Sequence, residues 1–175
     1  MMRQATRALG ASVAAAIGLA VLVPAAAGTS GNETFDVTLI ASGATGERNV
    51  IAAVVVAKGV FSGNGRLVEV ANLPGDPDSV VRDDLIFSEG TLHLVSTFGN
   101  VSISLNPRSC RVEVTTVQTS EIVGGTGELS AAVGSFEATL TGKGNLARNP
   151  DGSCAFESDP RHEQDKIELV GTLTF

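Results

Sequence analysis

The chain reads as an all-β domain, an eight-stranded antiparallel barrel, with a two-sheet β-sandwich as the alternative. Three observations predict this class. Apolar and polar residues alternate with a period of two over most of the chain after residue 27. Glycine- and asparagine-bearing turns separate the alternating stretches, and no stretch carries the 3.6-residue apolar period of an amphipathic helix. Eight short-connected strands is the count at which an up-and-down sheet can close around its own side chains or one small ligand. Pattern alone does not separate that barrel from a sandwich.

Residues 1–27 read as an export leader rather than as part of the fold. Arg3 and Arg7 make a positive start, residues 8–23 form an uncharged and mostly apolar run, and Pro24 is followed by Ala25, Ala26 and Ala27. Small residues there suit a signal peptidase, and cleavage is expected after Ala27. The apolar run, sixteen residues, is shorter than the roughly 18–20 that span a bilayer. No later segment is long and apolar enough to span, so the processed chain is expected to be secreted as one domain, residues 28–175. Cleavage would remove two of the twelve basic residues and none of the nineteen acidic ones, leaving a net charge of −9. That balance, with no basic run, opposes nucleic acid and anionic membrane surfaces as partners.

The strands follow in order. "TFDVTLI" (34–40) puts Phe35, Val37 and Leu39 on one face and polar residues on the other. "NVIAAVVVA" (49–57) is apolar on both faces, which predicts a strand covered on both sides or bulged near Gly59. "GRLVEVAN" (65–72), "VVRDDLIFS" (80–88), "GTLHLVSTF" (90–98) and "RVEVTTVQTSEIV" (111–123) are further strands. Gly63-Asn64-Gly65, Glu89-Gly90 and Gly99-Asn100 are read as the turns between them. "SFEATLT" (135–141) aligns Phe136, Ala138 and Leu140, and the last strand aligns Ile167, Leu169, Gly171, Leu173 and Phe175, with Val170 out of pattern.

"IVGGTGELSAAVG" (122–134) raises the question of a phosphate cradle. Such a cradle needs its glycines between a strand and a helix N-terminus. Here they run on into a strand, and the G-x-G-x-x-G register fails because position 130 is Ser130. Gly124, Gly125 and Gly127 are expected to turn the chain at positive φ, and Ala131, Ala132 and Gly134 to let another backbone approach.

The same stretch carries a resemblance. Ile122, Gly124, Gly125, Thr126, Gly127, Leu129, Ala132 and Gly134 resemble the "I-x-G-G-T-G-x-F-x-x-A-x-G" hairpin of the dirigent proteins, which share an eight-stranded barrel with allene oxide cyclase. Exported bacterial members of that barrel superfamily are more similar still. They place a "D-x-x-x-F-x-x-G-x-x" hairpin before it, as in Asp83 to Leu92, and a cysteine after an Asn- or Asp-Pro turn, as in Asn106 to Cys110. The resemblance implies an allene oxide cyclase-like barrel with a small apolar lumen open at one end. It brings no catalytic residue with it: the dirigent pocket's Asp, Arg and Tyr match no position here, Leu129 replaces the usual aromatic, and the chain has no Tyr or Trp.

Few other residues suggest chemistry. Cys110 and Cys154, an even pair in an exported chain, suggest one disulfide tying two loops or strand ends, the alternative being two buried thiols. His93, between Leu92 and Leu94, is expected to point outward, solvated or hydrogen-bonded, and His162 to lie solvated in a polar loop. Their separation does not suit a metal site. "PGDPDSVVRDD" (74–84) lacks the spacing of a calcium loop and reads as a solvated acidic loop in which Arg82 pairs with a neighbour. No cofactor or catalytic residue is assigned. The leading functional expectation is a non-enzymatic barrel that binds a small apolar molecule in its lumen. A structural or interaction protein of the cell envelope, and an isomerase, cyclase or dirigent-like enzyme acting by confinement, are the alternatives.

Overall fold

The computed structural model describes residues 28–43 and 48–175. The expected export leader, residues 1–27, lies outside the described residues. The described residues form eight strands: β1 (Ser30–Ser42), β2 (Asn49–Gly59), β3 (Gly63–Val70), β4 (Val80–Ile86), β5 (Thr91–Asn106), β6 (Arg111–Gly125), β7 (Val133–Asn145) and β8 (His162–Thr174). They pair antiparallel in chain order, and β8 returns to β1 to close an eight-stranded barrel. The barrel expectation therefore holds over the sandwich. Closure leaves β1 paired along both edges, with β2 and with β8.

Alternation sets what fills the interior. On β1, Phe35, Val37, Leu39 and Ala41 are buried, and the same parity buries Phe136 and Ala138 on β7 and Leu169 and Leu173 on β8. Val170, on the opposite parity, is 52% exposed. One end of the lumen is packed solid. Five of the chain's seven phenylalanines meet there, with ring centroids 5.3 Å apart for Phe35 and Phe136, 4.9 Å for Phe61 and Phe87, and 6.4 Å for Phe61 and Phe175. Tilted and edge-on rings at these separations add to the burial term of about 2–3 kcal/mol per side chain. Leu129, in the short 3-10 turn Gly127–Leu129, and Ala132, just beyond it, are buried in the same core.

The opposite end carries the two longest described connections, residues 71–79 and 146–161, and the short turn 107–110. Cys110 and Cys154 form the expected disulfide there, their Cα atoms 5.4 Å apart, joining the start of β6 to the loop before β8. Closing a 44-residue separation stabilises by up to about 4 kcal/mol in the chain-entropy account. Ser42 Oγ donates to the carbonyl of Arg161 at 2.8 Å, and the N–H of Gly43 donates to that of Pro160 at 2.9 Å, so the same loop is held against β1.

Several boundaries differ from the sequence reading. Gly63-Asn64-Gly65 lies inside β3, and the chain reverses before it, between Gly59 and Gly63. Gly99-Asn100 is not a turn. It is a bulge within β5, where Phe98 pairs with Gln118 and Val101 with Thr116, and the strand runs on to Asn106. β2 is not covered on both faces, since Ile51 and Val54 are 65% and 51% exposed. Its irregularity falls opposite Ile40 and Ala41, which pair with Ala52 and Val50, and so sits at Ile51 rather than near Gly59.

Candidate functional site

Toward the open end the lumen is unfilled. A cavity of about 570 Å³ lies between walls that include Leu39, Leu67, Phe98, Val112, Leu140 and Ile167. Their origin is the same alternation that packs the closed end, but here the inward residues are smaller or polar. Gly142 and Gly144 on β7 are both buried and both leave room that another group uses. A Cβ at Gly142 would come within 2.6 Å of Asp165 Oδ1, and one at Gly144 within 2.9 Å of the Pro160 ring.

Four carboxylates line this cavity together with three basic residues, Arg48, Arg82 and Lys143, of which Arg48 sits among the acids. Glu69 comes from β3, Asp83 from β4, and Glu163 and Asp165 from β8. Arg48, just before β2, donates from Nη1 to Glu69 at 2.6 Å and from Nε to Glu163 at 3.0 Å, with Nη2 3.8 Å from Asp165. Its backbone N–H donates to Asp159 at 3.0 Å, which anchors the residue at the rim. Burial alone would lower the Arg48 pKa, but the hydrogen bonds and charges of Glu69 and Glu163 outweigh it and hold the guanidinium charged.

The acids pay for that position in proton affinity. Burial, then the charges of Glu69 and Asp84, push Asp83 up to about 6, against a smaller opposing effect of Arg48. Asp165 is also raised, first by burial and then by its side-chain hydrogen bonding to Glu163 and the charge of that neighbour. Carboxyl groups poised near neutrality beside an apolar cavity can donate or accept a proton, and they attract cations.

Gln118, on β6, faces the cavity from another wall. Its side chain is 5% exposed and its Oε1 has no hydrogen-bond partner. Ser96 and Ser120, buried nearby on β5 and β6, satisfy one another at 2.8 Å. Beyond the rim, β5 and β6 run past β4, whose pairing with β5 stops at Thr97. Val101 and Ile103 pair with the cavity-side residues Thr116 and Val114, and with no strand facing them they are 54% and 61% exposed. The inner apolar surface thus continues outward as a flange on one side of the mouth.

The residues singled out from sequence fall elsewhere. The glycine hairpin closes the opposite, packed end. Gly124 and Gly127 take φ of 155° and 61°, whereas Gly125 does not have a positive φ and serves close backbone approach instead, and the N–H groups of Thr126 and Glu128 donate to the carbonyls of Thr91 and Glu89. Amides spent on carbonyls leave no phosphate cradle. Gly134 does permit close approach, since a Cβ there would lie 2.6 Å from the Thr172 carbonyl, and Ala132 is buried, but Ala131 is exposed. His93 points outward as expected, its Nδ1 2.7 Å from Asp84 Oδ1. His162 is exposed but opens β8 rather than lying in a loop. In the acidic stretch Arg82 does pair, with Asp76 at 2.7 Å, whereas Asp83 is not solvated and lines the cavity. Among the described residues no group of three or more His, Cys, Asp or Glu side chains is placed to hold a metal ion.

The cavity residues Arg48, Glu69, Asp83, Gln118, Glu163 and Asp165 were not nominated from sequence. A signal for some exists: Asp83 shares the parity of Leu85, and Glu163 and Asp165 share that of Ile167 and Leu169. Comparison with known proteins finds no matching family model, no matching curated protein and no matching solved structure.

Proposed function

We propose that this is an exported barrel that binds a small, largely apolar molecule in the open half of its lumen. The observation that carries the reading is the division of one lumen into a phenylalanine-packed half and an unfilled half of about 570 Å³. A cavity of that size lies in the range of small-molecule sites, which are mostly apolar with a few convergent polar groups. The disulfide is consistent with an oxidising, extracytoplasmic setting, and the leader-like composition of residues 1–27 supports export. The likeness of the glycine hairpin to dirigent and allene oxide cyclase-like barrels fits the same reading.

A second reading, an isomerase or cyclase acting by confinement, is favoured by Asp83 and Asp165, whose raised proton affinity suits acid–base chemistry. Both readings require an occupied lumen. Native mass spectrometry of the processed protein purified gently from its own host, with organic extraction, tests that requirement. The expected result is a co-purifying small molecule whose re-addition at a hundred times its Kd stabilises by about 2.7 kcal/mol, a rise of roughly 5–10 °C in Tm. A bare protein mass, with no thermal response to a panel of hydrophobic compounds, would overturn the reading.

A further inference from the structure

We infer that the lumen ligand is a cation, an apolar body bearing a protonated amine that sits among Glu69, Asp83, Glu163, Asp165 and Gln118. The inference rests on the lumen-binding reading and adds the chemical class of the bound molecule.

Charge and hydrogen bonding each point to it independently. Four carboxylates line the cavity, and the guanidinium that pairs within the cluster is Arg48. Arg82 is engaged by Asp76 at 2.7 Å, and Lys143 alternates with the inward Gly142 and Gly144 and is exposed. Both also line the cavity, but within the acid cluster Arg48 is the cation paired, against four carboxyl groups. Buried charge of one sign is costly until it is paired, so an incoming cation gains more here than it would at an open surface. An anion, by contrast, would meet like charges at short range.

Gln118 supplies the second observation. A buried amide oxygen without a partner costs about 1–3 kcal/mol, so such groups are rare unless a ligand or water completes them. Its Oε1 is in that state, on a side chain lining the same cavity as the acids. An ammonium group carries three N–H donors and no acceptor. It suits a cavity whose lining offers acceptors from β3, β4 and β8, with Gln118 on β6 in the same lining, and the apolar walls take the rest of the molecule. The flange of Val101 and Ile103 offers apolar surface beside the mouth along which such a molecule can enter.

The test uses three probes of one skeleton and three charges: 4-phenylbutylamine, 4-phenylbutan-1-ol and 4-phenylbutyrate, titrated calorimetrically into the processed protein at pH 7.5. The expected order is amine over alcohol by at least about tenfold, with the carboxylate weakest, since a tenfold ratio needs only about 1.4 kcal/mol. Asp83→Asn and Asp165→Asn should each reduce the amine-to-alcohol ratio several-fold while leaving alcohol binding in place, which also reports that the variants are folded. Gln118→Leu should weaken the amine several-fold. Equal binding of amine and alcohol, or preference for the carboxylate, overturns the cation assignment and leaves lumen binding standing. If none of the three binds to the wild-type protein, the cation assignment falls, while the lumen-binding reading is decided by the native mass measurement and the hydrophobic panel.

Discussion

At the scale of single residues, the cavity carboxylates make stability depend on pH in a direction opposite to that of most paired acids. Asp83 is raised to about 6 in the folded protein, whereas an unfolded aspartate titrates near about 3.9. The folded state therefore holds the proton more tightly. Its stabilising contribution is complete below the unfolded value and is lost as pH rises through about 6. Asp165 shifts in the same sense, and so does Glu33, a buried residue whose Oε2 accepts the N–H of Phe61 at 2.9 Å. Asp76 and Asp151 are shifted down, but they are surface groups and act at the acid end. Urea denaturation should accordingly give a higher midpoint at pH 5 than at pH 8, with about 1.4 kcal/mol of the difference due to Asp83. Asp83→Asn should flatten the dependence and raise the midpoint at pH 8. A midpoint that climbs with pH would mean that these acids face solvent. This residue also shows why the site was hard to read. The prolines at 74 and 77 mark a turn and the acidic residues after them look solvated, yet alternation backward from Leu85 puts Asp83 and Val81 on the cavity side. Arg48 has no such local signal, because its partners lie on β3 and β8 and meet only when the barrel closes.

At the scale of elements, turn chemistry and pleat decide different things. Gly125 ends β6 where a Cβ would lie 2.3 Å from the Leu129 carbonyl oxygen and 2.5 Å from that of Thr91. Both are backbone atoms fixed by the reversal, so nothing yields cheaply. Gly125→Ala is expected to cost about 2–4 kcal/mol, while Ala131→Ser, at an exposed position of the same connection, should stay within about 0.5 kcal/mol. Comparable midpoints for the two variants in chemical denaturation would refute the close-packed reversal. The period of two made the strands, their inward faces and their number legible before the structure. What it did not separate was a glycine that ends a strand from one that bends it. Gly99-Asn100 sits inside β5 as a bulge because β6 supplies partners on both sides of it, and Gly63 to Gly65 are paired with Ala57 to Val55 on β2. Glycine frees the backbone in each case, and long-range pairing determines the outcome.

At the scale of the whole molecule, the barrel is one continuous wall around two unlike halves. The packed half closes one end, where the phenylalanine rings, Leu129 and Ala132 exclude space for a ligand. The other half keeps a void, buried acids and an unpaired amide, each of which lowers stability relative to an apolar filling. Such a division is the expected mark of a site maintained at the expense of stability. It can be tested by extending the packed half upward. Leu140, on β7, lines the cavity one inward position beyond Ala138. Leu140→Phe places a larger ring in space that is vacant, and cavity filling of this kind commonly stabilises by about 0.5–2 kcal/mol. For a domain of this size the expected rise in Tm is roughly 2–6 °C. The same variant should lose binding of any lumen ligand, read as disappearance of the ligand-induced thermal shift. A Leu140→Phe protein that is destabilised yet binds with unchanged affinity would place the ligand outside this cavity, and would shift attention to the exposed flange of Val101 and Ile103.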